Sequence, residues 1–226
     1  MAEGRRFSGK GEGSAGEGCG DSRTALLEAA LHCFAQRGFD GTSIRDIAAA
    51  AGRNSSLISH HFGSKEGLYE EVFRQVLEVR RASLGRAAEG VAPRDRSEAV
   101  ERMKVLISTL CLEFILPGPS QEPRRMLGRK LLLHELRDPR PGVAALLVGL
   151  VEPWICRFTE CLAQLRPEAT PAGARFLATS VMGQMMVHLL MQGLQVPTEE
   201  PGRLGPVEAA ELLADYNLRA LGVVPP

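Results

Sequence analysis

The chain has no surplus of either charge: 27 lysines and arginines stand against 27 aspartates and glutamates. That excludes a protein working through bulk polycationic attraction, and it leaves electrostatic specificity to the way charges are segregated in space. Aromatic residues are scarce at 5%, with one tryptophan and two tyrosines, while alanine and leucine abound, a balance that favours helices over sheets. Cysteine pairs at metal-ligand spacing are missing. The five cysteines, at 19, 33, 111, 156 and 161, form an odd set without a Cys-x-x-Cys, which points to a reduced, cytoplasmic protein and to no structural metal. Cys156 and Cys161 are five residues apart and off a common helix face, so they do not read as a redox pair. No alternating run marks a strand, and no segment repeats. A nucleophile elbow, a phosphate loop and a paired carboxylate site are all absent. His134 followed by Glu135 begins like a metalloprotease helix, yet the second histidine at the required spacing is missing. The expectation is an all-α chain that is not an enzyme and takes no cofactor.

With 226 residues and 44% hydrophobic content, one small domain and one larger one each have material for a core. The first 21 residues, MAEGRRFSGKGEGSAGEGCGD, are rich in glycine and lack an apolar run, which predicts neither a leader nor a helix but a disordered extension over 1–21. Arg5, Arg6 and Lys10 there have the charge of a minor-groove arm, although a plain spacer accounts for them as well.

Residues 42 to 69, TSIRDIAAAAGRNSSLISHHFGSKEGLY, carry the strongest local signal. Thr42 and Ser43 are hydroxyl residues that cap a helix, and Ile44, Ile47, Ala48 and Ala51 then recur on one face. Gly52 follows where the stop needs a residue tolerant of positive φ. Asn54 or Ser55 caps the next helix, whose Leu57, Ile58 and Phe62 face inward while Ser55, Ser56, Ser59 and His60 are left outside. Ser64 caps a longer helix with Lys65 in its first turn. Helix, tight glycine turn, helix is the order of a helix-turn-helix, which sets small polar side chains against a major groove and helix-end N–H groups against phosphates.

With SRTALLEAALHCFAQRGFDG before it, this segment resembles, over roughly residues 22 to 75, the N-terminal domain of the tetracycline-repressor (TetR) family of bacterial regulators. The family's recognition helix ends in a His-Phe pair, and a Gly-Ser-Lys-Glu run opens its connector helix; here these are His61, Phe62, Gly63, Ser64, Lys65 and Glu66. The resemblance implies that Arg45, Ser55, Ser56, Ser59 and His60 face bases while Thr42, Ser43, His61 and Lys65 hold phosphates. Two departures stand out. Arg53 occupies the turn where the family has a small apolar residue, adding a cationic candidate for a DNA contact, and Ser59 and His60 stand where the family has a tyrosine. Between 21 and 66, Arg23, Arg37, Arg45, Arg53 and Lys65 are cancelled by Asp21, Glu28, Asp40, Asp46 and Glu66, so a basic face requires that these be segregated.

The helix-turn-helix domain is assigned to 22–68 and a C-terminal helical sensing and dimerisation domain to 69–226. Helices are expected at about 64–89, 97–115, 122–136, 142–165 with a kink at Pro153, 171–193 and 206–221. Phe176 to Gln195 has no charged residue and is near membrane-spanning length, but its glutamines and His188 make a buried helix the better account. A reader of two half-sites about 34 Å apart is a two-fold homodimer, and the family resemblance puts its interface on the last two helices, with Leu212, Leu213, Tyr216, Leu218 and Leu221. Met103, Cys111, Phe114, His134, Trp154, Phe158, Met182, Gln184, Met185 and His188 suit a mostly apolar effector pocket, although ordinary core packing explains the same pattern. The expected partners are a palindromic double-stranded operator and a small-molecule effector, with the ligand shifting the connector helix to release a repressed gene. A constitutive DNA-binding or dimerising protein without a ligand is the alternative.

Overall fold

A computed structural model describes residues 17–115, 123–135, 139–193 and 204–223. They form helices α1 (Glu17–Arg37), α2 (Ile44–Ala50), α3 (Ser56–Phe62), α4 (Lys65–Ala88), α5 (Arg96–Leu110), α6 (Pro123–Glu135), α7 (Pro141–Leu165), α8 (Pro171–Gly193) and α9 (Pro206–Ala220), with a π-helical turn over Cys111–Ile115 prolonging α5. No strand occurs among the described residues, and the fold is all-α. The chain divides into two units, Met1–Tyr69 and Glu70–Pro226, with α4 passing from one to the other.

Most helix ends follow local chemistry. Asp95 caps α5 by accepting from the Glu98 N–H at 2.9 Å, and Pro141 and Pro206 open their helices where a missing N–H costs nothing. α1 departs from expectation. It begins at Glu17, inside the stretch predicted to be disordered, and runs through Gly18 and Gly20. The Asp21 carboxylate accepts from the Arg53 guanidinium at 2.6 Å, a contact spanning 32 positions that holds this first part of α1 in place. Arg5, Arg6 and Lys10 lie outside the described residues. Pro153 sits within α7 without ending it; it and Gly149, whose carbonyl loses its amide partner, both face solvent.

In the first unit α1 is the central buried element. Leu26, Ala30, Leu31, Cys33 and Phe34 are buried on it, and Ile47, Ile58, Leu68 and Tyr69 are enclosed in the same unit. Each full burial of such a large apolar side chain contributes roughly 1.5–3 kcal/mol. Three rings knit the unit further: Tyr69 meets Phe34 edge-on at 4.7 Å and Phe39 at 5.0 Å.

In the second unit α5 packs against α7 and α9, and α8 against α7. The core between them holds Met103, Leu106, Leu110, Trp154, Phe158, Cys161, Leu162, Ala178 and Leu218. Two arginines close the end of α4: Arg102 donates to the Glu89 carbonyl and Arg157 to that of Gly90 at 3.1 Å. Gly90 has φ +115°, and a Cβ there would meet the Arg102 guanidinium. At the α6–α7 corner the fully enclosed Glu135 accepts from both the backbone N–H (2.9 Å) and the guanidinium (2.6 Å) of Arg140. By length and composition α7, not the segment from 176, is the described helix apolar enough to cross a membrane, yet its Trp154, Phe158, Cys161 and Leu162 fill the core. Leu218 and Leu221, expected at a dimer interface, face this unit's own core, and Leu213 packs against it; Leu212 and Tyr216 on α9 and Phe176 and Val187 on α8 point outward.

Candidate nucleic-acid interface

Three local devices build the helix-turn-helix. Ser43 and Asp46 form a reciprocal capping box at the start of α2, the Asp46 N–H donating to Ser43 Oγ at 3.1 Å and the Ser43 N–H to Asp46 Oδ2 at 3.0 Å. The Ser43 hydroxyl and N–H, with the Arg37 guanidinium more distant, hold the Asp46 carboxyl below the usual carboxylate range. α2 ends in a left-handed glycine, Gly52 at φ +62°, with the Arg53 N–H reaching back to the Ala48 carbonyl at 2.9 Å and the Gly52 N–H to that of Ala49 at 3.1 Å. This paired closure reverses the chain within two residues. Asn54 then caps α3 through the Ser56 N–H at 2.9 Å, whereas the Ser55 side chain makes no capping bond.

A third tight turn leads into α4. Gly63 adopts φ +76°, and Ser64 Oγ accepts from the Gly67 N–H at 3.1 Å. Gly67 is obligatory there for a reason the sequence did not reveal: a Cβ would run into the Phe62 carbonyl oxygen. Gly41, in the α1–α2 turn, is confined the same way by the Arg37 carbonyl.

The surface so assembled presents Ser43, Arg45, Ser56, Ser59 and His60 to solvent, with Ser55 half-buried beside them. Four other expected contacts have different surroundings. Thr42 is only 2% exposed, and its hydroxyl donates to the carbonyls of Gly38 (2.8 Å) and Cys33 (3.2 Å), so its side chain fastens the α1–α2 turn and is not available to a phosphate. Arg53 spends its guanidinium on Asp21, with Nε enclosed and unbonded among the described residues. That is an inward position, where the arginine stem replaces a small apolar side chain and the head reaches sideways to a carboxylate. His61 has Nε2 enclosed without a hydrogen-bond partner among the described residues, which leaves Nδ1 for any contact outside. Lys65 Nζ lies 4.0 Å from the centre of the Phe39 ring. Charge segregation is therefore partial: Arg53 with Asp21 and Arg37 with Asp46 (3.7 Å) pair opposite signs, and Arg45 stands exposed.

The ten expected effector residues do not gather around one opening. Met103, Cys111, Trp154 and Phe158 are sealed in the core with Met185, and Met182 packs against them. Gln184 makes a reciprocal amide pair with buried Asn217, at 2.9 and 3.2 Å, which occupies the polar group expected to read a ligand. His134 and His188 face solvent, and the Phe114 side chain lies outside the described residues. A surface cavity of about 330 Å³ is lined instead by Val91, Pro93, Glu98, Glu101, Arg102 and Val105. Among the described residues no three His, Cys, Asp or Glu side chains gather in a metal-binding group.

Against this geometry the likeness to known proteins is informative. The HTH-type transcriptional regulator RutR of Escherichia coli (strain K12) is 32% identical over 141 residues, 59% of this chain and 61% of RutR, so the match spans less than two thirds of that relative. The HTH-type transcriptional repressor KstR2 of Rhodococcus jostii is 48% identical over 56 residues, 25% of this chain and 28% of KstR2. In three dimensions the chain is similar to AibR, solved in complex with isovaleryl coenzyme A and operator DNA, with a TM-score of 0.59 and 22% identity over 91% of this chain and 99% of AibR. Residues 26–72 match the family described as bacterial regulatory proteins, tetR family, a span running from the core of α1 through the turn and α3 into α4. By that match, carried on a helix-turn-helix built from the same residues, residues 26–72 are similar to the DNA-binding segment of bacterial regulatory proteins of the tetR family.

Proposed function

We propose that the protein is a transcriptional repressor that grips a palindromic operator as a homodimer and lets go when a small molecule occupies its C-terminal unit. The single observation that carries the DNA-binding part is the exposed row Ser43, Arg45, Ser56, Ser59 and His60 on two helices held by a capping box and a left-handed glycine turn. Arg45 supplies the bidentate donor suited to a guanine edge, while the serines and His60 offer shorter polar contacts. The outward Phe176, Val187, Leu212 and Tyr216 support a dimer through α8 and α9, since large apolar groups at these positions gain by mutual burial. Repression follows the naming of KstR2, and ligand responsiveness follows AibR, whose fold is shared.

A second reading draws on the sealed core. With Met103, Trp154 and Phe158 buried and Gln184 bonded to Asn217, a constitutive DNA-binding dimer without an effector accounts for the same packing. Footprinting on the DNA flanking the protein's own gene, at two salt concentrations, with Arg45→Ala alongside, tests the first step. A protected palindrome that Arg45→Ala weakens at least tenfold supports the regulator; no protection at low salt by a folded dimer overturns it. A small-molecule screen on that operator then separates the readings, because any compound that releases DNA excludes the constitutive one.

A further inference from the structure

We infer that His60 meets DNA as an imidazolium, so that operator binding takes up a proton at this residue while its neighbour His61 stays neutral. The inference rests on the DNA-binding reading above and adds to it the charge state of one contact. α3, SLISHHF, has no lysine, arginine, aspartate or glutamate. The fixed charges of residues 21 to 69 cancel. An imidazole is therefore the one kind of group on this helix that can set a positive charge against DNA, and it exchanges its proton near neutral pH.

The two histidines close α3 side by side, their rings edge-on with centroids 4.9 Å apart. Their surroundings differ. His60 is exposed, so water solvates a charge on it and both of its nitrogens can donate. His61 is half-buried, with Nε2 enclosed and unbonded among the described residues. A second proton on His61 would place a cationic N–H in that enclosure without an acceptor, which costs more than leaving a neutral nitrogen there. At this separation one charge also opposes another, so the pair takes up one proton, not two. It goes to His60.

The charges on the surrounding elements are engaged elsewhere or stand apart. Asp21 holds Arg53 at 2.6 Å, Asp46 sits in the Ser43 capping box with Arg37 at 3.7 Å, Arg23 lies over the Phe62 ring and Lys65 over that of Phe39. Glu66 follows Lys65 in the first turn of α4, and Arg45 is exposed on α2. Among the described residues none of these, nor Glu28, His32 or Asp40, forms a hydrogen bond or ion pair with His60 or His61. DNA supplies acceptors instead: phosphate oxygens, and N7 and O6 on a guanine edge, which an imidazolium meets with N–H donors. Contact with them favours the charged form roughly tenfold. Affinity is then full where the free imidazole is already charged, and it falls as pH rises through the value that His60 has on DNA.

The test measures binding of the full-length protein to the DNA flanking its own gene, the fragment footprinted above, from pH 6 to 8 at constant ionic strength, a range in which ordinary carboxylates do not titrate. A roughly tenfold preference for the charged form lowers affinity about sixfold per protomer across it. His60→Gln, which keeps a polar side chain, is expected to bind at pH 8 as wild type does and to show no fall. His61→Gln and His32→Gln keep the wild-type fall, and melting curves at both pH values establish that each variant is folded. Wild type that binds equally at pH 6 and 8 overturns the inference alone, as does a His60→Gln protein that retains the fall. A fall lost in His61→Gln but kept in His60→Gln gives the proton to the enclosed ring and overturns it. Wild type that binds no DNA at either pH overturns both the inference and the functional reading.

Discussion

Replacing Thr42 by valine separates two jobs that a hydroxyl at the start of a helix-turn-helix can do. Its side chain is almost wholly enclosed, and its one proton is shared between the Gly38 and Cys33 carbonyls at 2.8 and 3.2 Å. Valine fills nearly the same volume, so little cavity forms, but the carbonyls lose their donor in a place water does not reach. Leaving a buried acceptor unbonded costs roughly 1–3 kcal/mol. At about 2–4 °C per kcal/mol for a chain of this size, a loss of about 2 kcal/mol lowers the melting temperature by about 4–8 °C. Thr42→Ser, which keeps the hydroxyl, forfeits only a methyl worth about 0.8 kcal/mol. The assay is thermal unfolding by circular dichroism, paired with DNA binding at a temperature where every variant is folded. Affinity of Thr42→Val is expected within twofold of wild type, while Ser43→Ala, which removes an exposed capping hydroxyl, lowers both stability and affinity. An unchanged melting temperature with a tenfold loss of DNA binding in Thr42→Val refutes the inward placement.

Arg53→Val is expected to keep DNA affinity and its salt slope, since the guanidinium is committed to Asp21; a slope reduced by about one would assign it to a phosphate instead. Asp46, Glu98 and Glu152 are held below the usual carboxylate range, in each case first by a side-chain hydrogen bond, from Ser43, Arg94 and Arg175 respectively. Because their folded pKa values are depressed, their stabilisation is complete above the ordinary carboxylate pKa and is lost as pH falls through the folded values. Melting temperature should therefore be flat between pH 6 and 8 and fall below about pH 4, with Asp46→Asn showing a shallower acid limb; equal acid limbs contradict the Asp46 share. In a Cys19→Ser background at pH 8, iodoacetamide should label exposed Cys156 and spare Cys161, whose thiol burial pushes up to about 11; equal labelling in the native state contradicts that burial.

Prolines and glycines made the C-terminal helices legible, because both act through their own backbone: α8 runs Pro171–Gly193 and α4 Lys65–Ala88, close to where the breakers put them. The left-handed Gly52 and the Ser43 cap were readable for the same reason. What stayed hidden depends on residues far away in the chain. Propensity argues against a helix through Gly18 and Gly20, and nothing near them announces that Arg53 secures Asp21. Thr42 reads as a surface cap until the carbonyls of Cys33 and Gly38 are seen beside it. Gln184 reads as a ligand group until Asn217, 33 residues on, claims it. Leu212 and Leu218 carry identical side chains on one helix, and only packing against α5 tells the inner from the outer.

The pairing of Gln184 with Asn217 makes the junction of α8 and α9 behave like a toothed gear. Apolar side chains tolerate gliding past one another, because dispersion and burial vary smoothly with displacement. Two amides that satisfy each other do not: a slip of one residue on either helix breaks both bonds between them, leaving Asn217 only the Leu213 carbonyl of its own helix at 2.8 Å and almost no access to water to replace the rest. Any rearrangement that reaches these helices must either carry the two as one body or jump to another engaged position, so a dimer built on them would pass between discrete shapes with nothing stable in between.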